Sequence, residues 1–164
     1  MLNVVRLDPG QALFLPAGVP HSYLEGTGVE IMANSDNVVR GGLTAKHIDV
    51  SELLRVLRFE PLTPVPVSVE RPGLCETRYL TPAAELVLSA LRIKSGEDYH
   101  SPVRESVEIL LCVNGHARLV ESAPDGRTLD ISRGSAVIVP AAAPDYHLKG
   151  LADLYRAGVP GDAP

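Results

Sequence analysis

The 164-residue sequence contains no tryptophan, and aromatic residues make up only 4% of it. Valine, leucine, isoleucine and alanine must therefore fill the core, and with 45% of residues hydrophobic they suffice. No apolar run approaches the roughly 20 residues of a membrane-spanning helix. The net charge of −5 comes without a basic stripe, which argues against nucleic acid as a partner.

Cysteine is also scarce. The two cysteines, Cys75 and Cys112, are far apart in the sequence and lack the spacing of a metal site. They predict two reduced thiols in a cytoplasmic protein.

Glycine and proline, at 14 each, indicate many turns between short elements. Apolar segments at 13–15 and 29–33 predict two short strands. Residues 46–58 have helical spacing of apolar positions, with Asp49 or Ser51 as the N-cap. This composition favours an all-β fold with one short helix.

A proline-rich segment at 59–74 separates this part from the rest of the chain, because its four prolines preclude a helix. Turns at Gly115 and at Asp125-Gly126 are expected between the strands that follow. Many short strands at nearly regular spacing indicate an antiparallel barrel or jelly roll. The strands are predicted at 86–93, 107–113, 117–121, 136–139 and 151–155.

An internal repeat supports a duplicated β-unit. Residues 10–26 (GQALFLPAGVPHSYLEG) and 134–150 (GSAVIVPAAAPDYHLKG) align without gaps and are identical at seven of 17 positions. The shared residues include the glycines and prolines that set turn geometry. The two copies are expected to form equivalent strand–turn–strand units.

Both copies resemble the second sequence motif of cupin barrels, G-x5-P-x-G-x2-H-x3-N. In the first copy Gly10, Pro16, Gly18 and His21 match this motif, and Glu25 stands where Asn is usual. The resemblance implies that His21 is a metal ligand.

The second copy keeps Gly134 and Pro140 but has Ala142 for Gly and Asp145 for His. Its predicted barrel therefore retains the turn residues without the histidine ligand.

The first cupin motif, G-x5-H-x-H-x3-E-x6-G, is matched in the later part of the chain by Gly96, Glu108 and Gly115. Pro102 and Arg104 occupy the two His positions. The second barrel is therefore expected to be free of metal.

Two segments, LPAGVPHSYLEG within the first repeat copy and VEIMANSDNVVRGGLTAKHID after it, resemble type I mannose-6-phosphate isomerases. Ser22 and Ala45 depart from the family pattern but remove no reactive group. In that family a Gln, two His and a Glu hold a zinc ion, and His21 matches the last of these ligands. The family's reactive Arg matches Arg40.

The resemblance extends to the substrate pocket, whose positions match Tyr23, Glu30, Asp36 and Lys46. It implies an enzyme that interconverts mannose 6-phosphate and fructose 6-phosphate. The chemistry requires such groups, since an enediol mechanism gathers negative charge on a sugar oxygen, and Arg binds phosphate oxygens well.

The same resemblance implies the domain organisation. Residues 1–58 are expected to be the C-terminal part of a catalytic cupin barrel, 59–74 a linker, and 75–164 a second, metal-free barrel. The other three zinc ligands are expected before Met1. An N-terminal half of the same enzyme would be needed to complete the site, and this chain alone is expected to be inactive, with zinc absent or weakly held.

Other interpretations remain open at this point. A metal-free cupin could bind carbohydrate or a partner, or could stabilise a catalytic partner chain. Iron-oxygenase cupins would need the His-x-His strand that is absent here. Each candidate residue could also be an ordinary surface or packing residue. The remaining histidines, His47, His100, His116 and His147, are expected to be structural or exposed.

Overall fold

The computed structural model describes residues 3–35, 38–42, 44–103 and 106–160. The chain divides into two compact units, Met1–Val67 and Ser68–Pro164, and the division lies inside the proline-rich segment. No helix in the described part is long and apolar enough to cross a membrane.

The first unit contains one helix, α1 (Val50–Val56), which is shorter than the predicted 46–58. Asp49 caps it as predicted, since its carboxylate accepts a hydrogen bond from the Glu52 N–H (2.9 Å). The backbone becomes extended at Leu57, whose N–H still bonds to the helix. No residue of α1 is fully buried, and Leu54 is 57% exposed, so the predicted apolar face is only partly covered.

The strands predicted at 13–15 and 29–33 are wrong, because no strand occurs in the described part of the first unit. A strand requires a neighbouring backbone for its hydrogen bonds, and apolar residues alone do not supply one. The segment's hydrogen bonds are mostly those of turns. One long-range bond, from the Val67 N–H to the Ala12 carbonyl (2.9 Å), ties the segment to the end of the unit.

The second unit is an antiparallel sheet, as the all-β prediction requires. Its strand order is β1-β2-β3-β8-β5-β6, with β4 paired to β8 and β7 paired to β5. The strands are β1 (Val69–Glu70), β2 (Glu76–Tyr79), β3 (Val87–Ile93), β4 (Asp98–His100), β5 (Glu108–Glu121), β6 (Thr128–Ser132), β7 (Ala136–Val139) and β8 (Tyr146–Gly158).

Two long strands form the centre of this sheet. The predicted strands 107–113 and 117–121 both lie in β5, and the turn predicted at Gly115 is wrong. Gly115 has a φ of +75°, next to a register shift between Cys112 and Asn114, so the strand continues past an irregularity without turning. The turn at Asp125-Gly126 is confirmed between β5 and β6.

Alternation along β5 and β8 builds the core. Buried residues alternate with more exposed ones along both strands, with a change of phase in β5 after Cys112, and they include most of the buried apolar side chains. Both cysteines are buried and unbonded to each other, and burial raises the pKa of each thiol. The core consists of Cys75, Leu91, Ile93, Tyr99, Leu110, Cys112, Ala117, Leu119, Ile131, Val139, Tyr146, Leu148, Ala152 and Leu154.

The two copies of the repeat share their turns. Gly10 and Gly134 both have a φ of +89°. The N–H of Val19 donates to the carbonyl three residues earlier (3.3 Å), and the N–H of Ala143 does the same (3.0 Å). Only the second copy continues into strands, because β4 and β5 lie beside it.

Gly18 connects the first copy of the repeat to α1. It has a φ of +82°, its carbonyl accepts from the Arg58 N–H (2.9 Å), and an added Cβ would lie 2.6 Å from the Val56 carbonyl oxygen. We expect Gly18→Ala to destabilise this contact by about 1–3 kcal/mol, from backbone strain and overlap together. Hydrogen exchange of the Arg58 amide measures the effect. Gly28→Ala is the control, since a Cβ there meets no atom within 4 Å. Equal exchange in the two variants would contradict the assignment.

Candidate functional site

His21 follows the first-copy turn and is exposed to solvent. Its Nδ1 lies 3.0 Å from the carbonyl oxygen of Val19. A carbonyl oxygen can only accept a hydrogen bond, so this contact favours the neutral tautomer with the proton on Nδ1 and the lone pair on Nε2. Metal-binding histidines are commonly oriented in this way by a backbone carbonyl. The local geometry therefore suits a metal ligand.

Tyr23 packs edge-on against His21, with ring centroids 6.1 Å apart and planes at 69°. The carboxylate of Glu30 interacts electrostatically with the tyrosine hydroxyl. Local desolvation of the hydroxyl, followed by the negative charge of Glu30, raises the pKa of Tyr23. Three of the residues predicted from the sequence thus form one group, which we call the His21 cluster (His21, Tyr23 and Glu30).

Arg40 and Lys46 are exposed. Within the part of the chain that the structure describes, neither side chain bonds to the His21 cluster. The backbone N–H of Lys46 donates to the hydroxyl of Thr44 (3.1 Å), which orders the segment before α1. The glycine after Arg40, Gly41, has open space around it, so a ligand could approach the backbone there. Asp36, also predicted for the pocket, lies outside the described residues.

The donors in this chain fit one position of a zinc site. Residues 3–35, 38–42, 44–103 and 106–160 contain no group of three or more His, Cys, Asp or Glu side chains that could hold a metal ion. His21 offers a free Nε2 at an exposed position, as a zinc ligand requires. Further ligands would have to come from outside the described residues.

The second unit has a buried charged group that the sequence analysis missed. The guanidinium of Arg156 binds Glu108 and Glu76 at 2.6 Å each, and all three residues are at most 6% exposed. Ser89 donates to Glu76 (2.7 Å) and Tyr146 donates to Glu108 (3.1 Å). We call these five residues the Arg156 cluster.

Glu108 is the glutamate of the first cupin motif, and here it faces an arginine. Burial by itself would lower the pKa of Arg156, but nearby Tyr99 and the two glutamates raise it overall. The guanidinium therefore stays charged and neutralises the two buried carboxylates at hydrogen-bond distance, while the Nε of Arg78 lies farther from Glu76, at 3.9 Å. At the other motif positions Pro102 and Asp145 are exposed, and Arg104 lies outside the described residues.

Arg156 could have been found from its position alone. It follows Ala152 and Leu154 at every second residue of β8, so it occupies an inward position of a buried strand. Charged residues are almost never fully buried unless they are paired. An inward arginine therefore predicts a buried carboxylate, although the sequence does not say which one.

Comparisons with known proteins agree with the family resemblance found in the sequence. No protein-family model matches the chain. Mannose-6-phosphate isomerase 1 of Arabidopsis thaliana is 39% identical over 160 residues, which are 96% of this chain and 36% of that protein. Mannose-6-phosphate isomerase of Escherichia coli is 36% identical over 158 residues, or 95% of this chain and 39% of that protein. The chain thus spans little more than a third of these curated relatives.

A solved structure supports the same relationship. A zinc-bound mannose 6-phosphate isomerase superposes with a TM-score of 0.62 at 29% identity, covering 76% of this chain and 31% of that one. The resemblance stated from the sequence is therefore confirmed. Over nearly its whole length, the chain is homologous to a portion of the mannose-6-phosphate isomerases.

Proposed function

We propose that this chain is the C-terminal portion of a zinc-dependent aldose–ketose isomerase that interconverts mannose 6-phosphate and fructose 6-phosphate. The observation that carries the proposal is its similarity to such isomerases over 95–96% of its length. The orientation of His21 adds independent support, since Nε2 is free while Nδ1 is held by Val19. The relatives favour this activity over a non-catalytic carbohydrate-binding module.

His21 would supply one of the zinc ligands, with the others contributed by an N-terminal portion of the same enzyme. A bound zinc ion polarises a sugar carbonyl oxygen and stabilises the negative charge that develops there. The Val19 carbonyl fixes the ring of His21. Tyr23, packed on that ring, would present its hydroxyl to the sugar, and Glu30, which interacts electrostatically with Tyr23, would present its carboxylate.

The cationic residues would act on the anionic parts of the substrate. Arg40, followed by Gly41, could stabilise the enediolate oxygen or hold the phosphate through two parallel hydrogen bonds. Lys46 would bind the phosphate as a point charge. The family resemblance also implies a substrate-binding role for Asp36.

The proposed organisation assigns residues 1–58 to the catalytic barrel, 59–74 to a linker and 75–164 to a metal-free barrel. The division of the chain inside the proline-rich segment supports this assignment. The Arg156 cluster supports the absence of metal from the second barrel, because a guanidinium already neutralises Glu108. We also propose a cytoplasmic location, which the two unbonded cysteines support.

Kinetics of a chimera test the proposal. In the chimera this chain replaces the matching segment of the Escherichia coli relative, which supplies the remaining part of the enzyme. We expect the chimera to interconvert the two sugar phosphates. Arg40→Ala should lower kcat by about 100- to 1,000-fold, because a preorganised charge acts mainly in the transition state. Lys46→Ala should chiefly raise KM, since phosphate is bound equally in the ground and transition states.

The control is Arg6→Ala, which removes an exposed arginine of the same unit and should leave both constants unchanged. A folded chimera without activity would contradict the proposed function. Near-normal kcat in Arg40→Ala would show that the reactive arginine lies elsewhere.

A further inference from the structure

Two histidines face each other on the surface of the second unit. His100 on β4 is directly opposite His147 on β8, with ring centroids 5.7 Å apart and planes at 31°. His100 is exposed and His147 is half-buried. They lie 47 residues apart in the sequence, so only the pairing of the two strands brings them together.

The backbone holds this pair closely. In the next pair along, the Ser101 N–H donates to the Tyr146 carbonyl (2.9 Å). Hydrogen-bonded and non-hydrogen-bonded pairs alternate in an antiparallel ladder, so His100 and His147 form a non-hydrogen-bonded pair, in which side chains are closest. The preceding pair, Tyr99 and Leu148, is buried and fixes both strands to the core.

We propose that His100 and His147 chelate a divalent transition-metal ion, such as Zn²⁺, Ni²⁺ or Cu²⁺. Imidazole suits these ions and binds them through a neutral nitrogen. Two imidazoles on one tetrahedral ion, with nitrogens at about 2.0–2.1 Å, place the ring centres about 5 Å apart. The observed 5.7 Å requires only a small rotation of two side chains that reach solvent.

The surroundings allow a cation here. The next outward pair on the same strands is Asp98 and Lys149, which bind each other at 3.3 Å, so the lysine charge is neutralised. On the other side His147 is opposite Val120 of β5, which is apolar. The described residues supply no third ligand, so water would complete the coordination, and the ion would bind reversibly and more weakly than at a closed structural site.

Titration with NiCl₂ tests the site, using the 164-residue chain with His21→Ala so that His21 contributes nothing. We expect saturable binding that adding His100→Ala or His147→Ala weakens by about tenfold or more, because each change removes the chelate. The double variant should be no weaker than either single one. Affinity should fall as the pH is lowered, since protonated imidazole cannot bind metal. Nickel should also raise Tm in the parent and not in these variants.

The matched control is His116→Ala, which removes another exposed histidine, on β5, and should leave the affinity unchanged. An unchanged far-UV circular dichroism spectrum shows that the variants fold. No saturable binding by the parent, or equal affinity in the parent and in folded His100→Ala, would overturn the proposal and reduce the pair to a ring contact. That result would leave the proposed isomerase function untouched, since His21 lies in the other unit.

Discussion

Arg156→Ala should destabilise the second unit by about 3–5 kcal/mol, because it leaves Glu108 buried without its cation and Glu76 with only the more distant Arg78, whose Nε lies 3.9 Å away. Both Glu76 and Glu108 are 6% exposed, and each receives a 2.6 Å hydrogen bond from the guanidinium. Their hydroxyl donors, Ser89 and Tyr146, would remain but carry no charge. The penalty therefore comes from uncompensated buried charge more than from the lost packing of one side chain.

Urea unfolding at neutral pH measures this effect. The matched control is Arg118→Ala, since Arg118 binds Asp130 at 2.8 Å with its side chain 57% exposed. A pair in solvent contributes about 0–1 kcal/mol, so the control should lose no more than that. Equal losses in the two variants would show that the Arg156 cluster is not the buried ion pair described here.

The sequence predicted the sheet of the second unit where apolar periodicity is strong. The strand predicted at 136–139 is β7, and that at 86–93 is β3 to within one residue. The sequence did not predict β2, whose buried residues are Glu76 and Tyr79. A buried glutamate requires a partner of opposite charge, and for Glu76 this is Arg156, 80 residues away in the sequence. The sequence alone does not show which strands pair, so it does not identify this partner.

In the first unit, local turns were predictable and strands were not. Glycine and proline fix the turns through their own backbone preferences, so both copies of the repeat share them. A strand depends on a neighbour, and the described residues of the first unit supply none. Residues 13–15 and 29–33 therefore have the composition of strands without forming any.

The candidate site was also predictable only in part. His21 was found from its motif, because glycine and proline spacing identifies the turn that carries it. The electrostatic interaction between Tyr23 and Glu30 was not predicted, although each residue was assigned to the pocket separately. His100 and His147 were interpreted as structural or exposed, because the register of β4 on β8 is not visible in the sequence.

Loss of the imidazole at position 21 should remove both the metal and the activity of the chimera. His21 is the one proposed zinc ligand that this chain contributes, and its Nε2 is oriented by the bond from Nδ1 to Val19. Losing one of four ligands from a zinc site opens the coordination and lowers affinity steeply. Because the proposed chemistry depends on the metal, the turnover should fall with the zinc content.

The decisive measurement is zinc per chain by elemental analysis, after dialysis, together with the isomerisation rate of the same chimera samples. We expect one zinc and activity in the parent chimera, and neither in His21→Ala. The control His116→Ala should retain both, and the isolated 164-residue chain should hold little zinc. A folded His21→Ala chimera that keeps one zinc and a normal rate would contradict the assignment of His21 as the zinc ligand.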